Sequence, residues 1–362
     1  MAFILMSAGM IQLHAHEYKL PDKNDVLKTM IKVNDYFMEK YADYKQPSHV
    51  GVVRPSNIWT RSVYYEGLMA LHQIHPQKKY YRYAYDWAEF HKWGLRNGNT
   101  TRNADDQCCG QIYLDLYTMS PSPKKIRNIK KCMDLLLFSD QSDEVWSWID
   151  AIQMGMPVLA KLGALLSDNR YYEKMYRMYS FTRNNHGNRG LFNTEEGLWW
   201  RDADFLPPYR EPNGRNCYWS RGNGWVYAAL VRVLDIIPQD EAHRNEYLDD
   251  FRSMSEALKN CQREDGFWNA SLHDPTHFGG KESTGTSLFV YGLAWGITNG
   301  VLDRTTYLPV VLKAWNALQE EAVHDSGFVG WVQGTGKEPK DGQPVMYDSM
   351  PDFEDFGIGC FL

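Results

Sequence analysis

The sequence predicts an all-α protein, an (α/α)6 barrel of six helical hairpins, and three observations carry the prediction. Apolar residues recur at three-to-four spacing through most of the 362 residues, while strand-like alternation is scarce. Helices with one charged face alternate with segments that are apolar all round, at intervals of roughly 40 to 75 residues, as stacked hairpins require. The apolar segments are also rich in Gly and Ala, which allows helices to crowd round one axis.

The charged, amphipathic stretches run over 25–41, 77–93, 124–138, 170–182, 241–261 and 304–321. Between them lie inner segments starting near Ile58, Asn103, Val145, Tyr218, Glu282 and Phe353. Gly67, Gly110, Gly155, Ala228, Ala229, Gly292 and Ala294 are expected to serve close helix approach without any catalytic role. Loops carrying Gly-aromatic punctuation, EEGLWW at Glu195, EDGFWN at Glu264 and DSGFVGW at Asp325, read as turns whose aromatic docks on the barrel. The last inner segment reaches Leu362 a few residues into its helix, so the barrel either closes with a stub or continues beyond this sequence.

With 43% hydrophobic and 23% charged residues the chain can bury a sizeable core, read as one domain over 16–362. The first fifteen residues, with an apolar run ending at Leu13-His14-Ala15, resemble a secretory signal without a basic start, which points to a periplasmic or secreted protein, a cytoplasmic one being the alternative. No other apolar run reaches membrane-spanning length, so no membrane partner is expected. A net charge of −6 with scattered Lys and Arg excludes the electrostatic footprint of nucleic-acid binding. The 13 Trp, 23 Tyr and 15 Phe exceed core needs and suggest a cleft that stacks on ring-shaped ligands. Six cysteines without CxxC or Cys/His spacing read as buried thiols, and His186, His273, His277 and His324 read as solvated loop residues, so no metal is expected.

Polar groups in the inner segments cluster at their N-terminal parts, which share one rim of the barrel. Asp105 and Asp106 open the second segment, Asp150 lies inside the third, Arg221 and Asn223 open the fourth, Glu282 and Ser283 the fifth, and Glu354 and Asp355 the sixth. Helix capping explains one of Asp105 and Asp106, and equally Glu282, Ser283, Glu354 and Asp355. Arg221 in WSRGNGW is as well explained by a structural ion pair as by substrate. Asp150, in EVWSWIDAIQMGMPVLAKLG, is different. Its helical neighbours Trp146, Ser147, Gln153 and Met154 include no cation. A carboxyl group in such company has a raised pKa, the property a general acid needs near neutrality. With Asp106 on the neighbouring helix, the rim offers two acids for glycoside-type chemistry.

WSWIDAIQMGMPVLAKLG, LWWRDADF with CYWSRGNGWVYAALVRVLDIIP, DGFWNASLHDP with ESTGTSLFVYGLAWGI, and GFVGWVQ together resemble the unsaturated glucuronyl and rhamnogalacturonyl hydrolases of glycoside hydrolase families 88 and 105, with family 105 looking closer. The likeness runs from about Ile58 to the C-terminus, with the motifs in the expected order. It implies an (α/α)6 barrel that removes a 4,5-unsaturated uronic acid from oligosaccharides made by polysaccharide lyases, with no metal or organic cofactor. It further implies that Asp150 protonates C4 of the enol ether and activates water for C5. Asp106, matched on its spacing to Gly110, would orient sugar or water. Trp148, Trp219 and Trp225 would form stacking walls, and Arg221 would meet the anionic substrate. The chain departs from the family pattern at Arg201, where typical members carry a histidine, and in omitting the final helix that they complete. A sugar epimerase, a lyase or a non-catalytic carbohydrate-binding barrel are the alternatives.

Overall fold

The computed structural model describes residues 20–139, 142–349 and 355–362. The segment read as a signal peptide and the Phe353–Glu354 start of the last inner segment lie outside them. Six outer helices occupy the amphipathic stretches: α1 (Lys23–Lys40), α3 (Lys78–Phe90), α6 (Pro123–Leu137), α8 (Asn169–Asn184), α10 (Arg244–Cys261) and α12 (Arg304–Glu321). The inner ring consists of α2 (Trp59–Ile74), α4 (Ala104–Gln107) running into α5 (Cys109–Met119), α7 (Asp150–Leu166), α9 (Ser220–Ile236), α11 (Ser283–Thr298) and α13 (Asp355–Phe361).

Local chemistry sets where the outer helices begin. Asp22, Asp168 and Asp303 cap α1, α8 and α12 through side-chain bonds to backbone N–H groups two or three residues on, and Pro123 starts α6. Each outer helix packs its apolar face against its inner partner, while the inner helices pack in sequence from α2 through α11 to α13. The seven residues of α13 lie against both α11 and α2 and close the ring. That closure depends on one crossing: a Cβ on Gly67 would sit 2.7 Å from the Gly359 carbonyl oxygen, so only glycine admits the contact. Gly110 serves differently from the expectation, since its space is taken by Ile129 of the outer helix α6.

The third inner helix starts later than its apolar run. Trp148 and Ile149 give their backbone to Asp202 and Arg201 instead, through a bridge and an Ile149 N–H to Arg201 C=O bond of 3.0 Å. Asp150 is therefore the first residue of α7 and not an interior one. The remaining extended structure is small, with β1 (Ser48–Val50) antiparallel to β2 (Val52–Arg54) and β3 (Phe192–Asn193) antiparallel to β4 (Leu198–Trp199). The β3–β4 hairpin is the predicted EEGLWW turn, with Trp199 and Trp200 docked and buried. All six cysteines are free thiols, buried except for half-buried Cys261. No helix among the described residues is long and apolar enough to cross a membrane.

Candidate active site

The N-termini of the inner helices form one rim, and the fourth inner helix organises it. In WSRGNGW, Asn223 accepts a bond from the Trp199 N–H (2.8 Å) and donates from its amide nitrogen to the carbonyls of Trp199 and Trp219 (3.0 Å each). This ties β4 to the start of α9, and two residues beyond Trp199 comes Arg201. A Cβ on Gly222 would lie 2.9 Å from the Trp219 ring and 3.1 Å from Ile149, so glycine lets α9 meet the entry to α7. Arg221 is fully buried and donates to the carbonyls of Gln333 and Gly334 at 2.7 Å each, with its guanidinium over the rings of Trp219 and Phe356. Arg221 thus brackets the 333–334 loop with both terminal nitrogens and does not present them to the rim.

Asp150 is 8% exposed at the N-terminus of α7 and is paired, contrary to its local sequence neighbourhood. The Arg201 Nε lies 3.2 Å from Asp150 Oδ2, while Arg201 Nη1 lies 2.6 Å from Asp202 Oδ2. Burial raises the Asp150 pKa, opposed by the charges of Arg201 and Arg221, by a backbone N–H bond and by the bond from Arg201. The positive end of α7 acts in the same stabilising sense on the carboxylate.

The two consecutive acids of the second inner segment differ. Asp106 is fully buried; its Oδ2 accepts from Asn97 and Thr101 at 2.8 Å each, and its Oδ1 is ion-paired with Arg96 at 3.0 Å. Asp105 is half-buried, and its pKa is pushed up to about 7 by burial first, then by the negative charges of Asp150 and Asp106, against Arg201 and Arg96. The acid that feels the Asp150 charge is thus Asp105, while Asp106, the acid favoured by the sequence spacing, is held by Asn97, Thr101 and Arg96.

The other rim candidates fall into place by the same reading. Glu282 caps α11 through the N–H groups of Thr284 (3.0 Å) and Gly285 (2.7 Å). Asp355 pairs with Arg61 of α2 at 2.7 Å, both side chains 1% exposed. Trp219 is buried with its indole N–H on Gln333 Oε1 at 2.9 Å. Trp148 is half-buried beside Asp202. Trp59, the half-buried first residue of α2, meets Trp225 edge-on at 6.1 Å and was given no role on sequence grounds, although it opens an inner helix as Asp150 does. His277 is not the solvated residue expected: its Nδ1 meets the buried Glu211, whose other oxygen accepts from Ser271 at 2.7 Å, tying the 202–218 and 262–282 loops together.

Trp225, with no exposed surface, lines a second space, a cavity of about 690 Å³ that opens at the C-terminal ends of the inner helices and is shared with Gln153, Glu66, Arg232, Lys161 and Asp115. Its two cations are each matched, Arg232 with Glu66 and Lys161 with Asp115, and Asp235 adds a further acid, so it offers no unmatched cation to a carboxylate. Neither Asp150, Asp105 nor Arg201 lines it.

The chain is similar to an unsaturated 3S-rhamnoglycuronyl hydrolase of Formosa agariphila, 31% identical over 344 residues that cover 90% of this chain and 87% of that one. A solved glycosyl hydrolase family 88 structure from Bacteroides vulgatus superposes with a TM-score of 0.84 at 32% identity, covering 94% of this chain and 97% of the other. A structure named a polysaccharide lyase is similar to the same degree, with a TM-score of 0.84 and 31% identity over 93% of this chain and 94% of its own. The family model described as Glycosyl Hydrolase Family 88 matches residues 29–362. The ring of paired helices is thus that of this family, and the chain belongs to glycosyl hydrolase family 88.

Proposed function

We propose that this enzyme removes a 4,5-unsaturated uronic acid from the non-reducing end of oligosaccharides left by polysaccharide lyases, using Asp150 and Asp105 at the rim. The observation that carries this reading is the coupled pair itself: Asp150 buried beside Arg201, and Asp105 pushed up to about 7, so that the pair retains a proton near neutrality. Protonating an enol ether at carbon needs such a proton, and the family to which the chain belongs supplies the substrate class.

Asp150 delivers the proton to C4 of the C4=C5 bond, and the resulting carboxylate accepts a proton from the water whose oxygen adds to C5. C5 is then a hemiketal. Its ring C5–O bond breaks to give a ketone at C5, and the hemiacetal left at C1 expels the aglycone alcohol, leaving an aldehyde. Asp105 orients the water or the sugar and holds the shared proton, while half-buried Trp148 and Trp59 flank the ring. The name of the Formosa agariphila relative makes a rhamnose-linked unsaturated uronide the first substrate to try.

The similarity to a structure named a polysaccharide lyase gives a second reading, and the two have opposite signatures. A lyase creates the enol ether and its ultraviolet absorbance, whereas this hydrolase consumes it. Wild-type protein should bleach an unsaturated uronyl disaccharide, and Asp150→Asn should slow the bleaching by about 10³-fold or more. Absorbance that stays constant on unsaturated disaccharides and rises on the intact polysaccharide would establish the lyase instead.

A further inference from the structure

We propose that Arg201 arms the acid: it holds Asp150 as a carboxylate in the free enzyme and transfers its grip to the uronate carboxylate when substrate binds. The inference rests on the hydrolase reading above and deepens it. Three features of the geometry support it.

The first is how the guanidinium is shared. Arg201 uses Nη1 on Asp202 at 2.6 Å and Nε on Asp150 at 3.2 Å, and Nη2 has no partner among the described residues. A carboxylate that binds bidentately along the Nε–Nη2 edge takes the nitrogen that Asp150 uses and leaves the Asp202 anchor intact. The contact that must break is also the longer of the two.

The second is access. Arg201 retains 20% of its side-chain exposure next to Asp150, whereas Arg221 is fully buried on two backbone carbonyls. The third is that the Arg201 backbone is held in place, because its carbonyl accepts the Ile149 N–H and β4, two residues before it, is tied to α9 by Asn223. Only the side chain is left to respond.

The charged groups acting on Asp150 are Arg201 and Arg221 in favour of its carboxylate, and Asp105 against it, with Asp106 and Arg96 behind Asp105. Drawing Arg201 away removes one of two cations, and the proton shared by the Asp105/Asp150 pair shifts toward Asp150. The acid is then protonated where a C4 waits to receive the proton.

The test is a pair of pH profiles on an unsaturated uronyl disaccharide. The alkaline limb of kcat/KM reports the free enzyme and that of kcat the complex. In wild type the kcat limb should lie at higher pH than the kcat/KM limb. In Arg201→Gln the kcat/KM limb should rise by about one pH unit and meet the kcat limb, while KM rises. Arg201→Lys, which keeps the charge, should preserve the separation. The methyl ester of the uronate, offered to wild type, cannot recruit Arg201 and should bring the two limbs together without any change to the protein. Coincident limbs in wild type, or a kcat/KM limb in Arg201→Gln that stays in place or falls, would overturn the proposal while leaving the hydrolase intact. If wild type does not consume the enol ether at all, the hydrolase reading fails and this inference falls with it.

Discussion

At the scale of single residues, Asp105 and Asp106 show how adjacent identical side chains acquire opposite work. Asp106 receives two hydrogen bonds and an ion pair; Asp105 is left within reach of another acid's charge and holds its proton to about pH 7. The sign of the linkage follows. Because the folded pKa of Asp105 is raised from 3.8, the contribution it makes to stability is fully present below about pH 4 and is lost as pH rises through 7. Asp105→Asn should therefore raise the melting temperature relative to wild type more at pH 8 than at pH 5, with the effect fading only toward pH 4, and should lower kcat by about 10²-fold. Equal melting shifts at the two pH values would refute the burial of an uncompensated charge there. The sequence spacing favours Asp106, and it does so for a physical reason. Consecutive helical residues point about 100° apart, so which of the two faces the axis depends on where α4 starts, and that is set by the Asn103 cap and not by any periodicity.

At the scale of elements, α9 turns a short motif into the geometry of the site. Asn223 satisfies backbone groups of β4 and of its own helix's N-cap with three bonds, and through Trp199 it fixes the strand that leads to Arg201. Asn223→Ala should cost about 2–3 kcal/mol by leaving buried backbone groups unmet. It should also lower kcat/KM by about tenfold or more through misplacement of Arg201, and denaturant titration with steady-state kinetics reads both effects. A full loss of stability with unchanged kcat/KM would mean that the hairpin does not position the site. The motif was legible as a cluster of special residues, but its task was not, because the Trp199 backbone and the Gln333–Gly334 carbonyls it holds come from elsewhere in the chain. The start of α7 is a similar case. Apolar periodicity extends the helix back to Val145, and it is the pairing of Trp148 and Ile149 with Asp202 and Arg201 that stops it at Asp150.

At the scale of the molecule, the barrel is a closed ring, and its closure is marked by the Arg61–Asp355 pair joining residues 294 positions apart in sequence. With both side chains 1% exposed, removing one partner strands a buried charge. Asp355→Ala should lower stability by about 3–5 kcal/mol, seen as a shift of the urea midpoint, with a larger loss than any exposed ion-pair variant. The ring also separates two polar regions. The rim holds acids beside a part-exposed arginine, whereas the cavity at the other end of the inner helices holds cations already matched by acids.

Six amphipathic outer helices, six apolar inner segments and a row of polar residues at their N-terminal ends were all determined by the sequence alone, because helical period and burial of one face are local properties of the chain. Tertiary structure alone decided that Asp105 lies within reach of the Asp150 charge, that Arg221 is spent on backbone carbonyls, and that Arg201 reaches Asp150 across 51 positions of sequence. Those outcomes depend on side chains from different hairpins meeting in a low-dielectric rim, where the energy of a charge is set by its neighbours in space, and no periodicity within one helix contains that information.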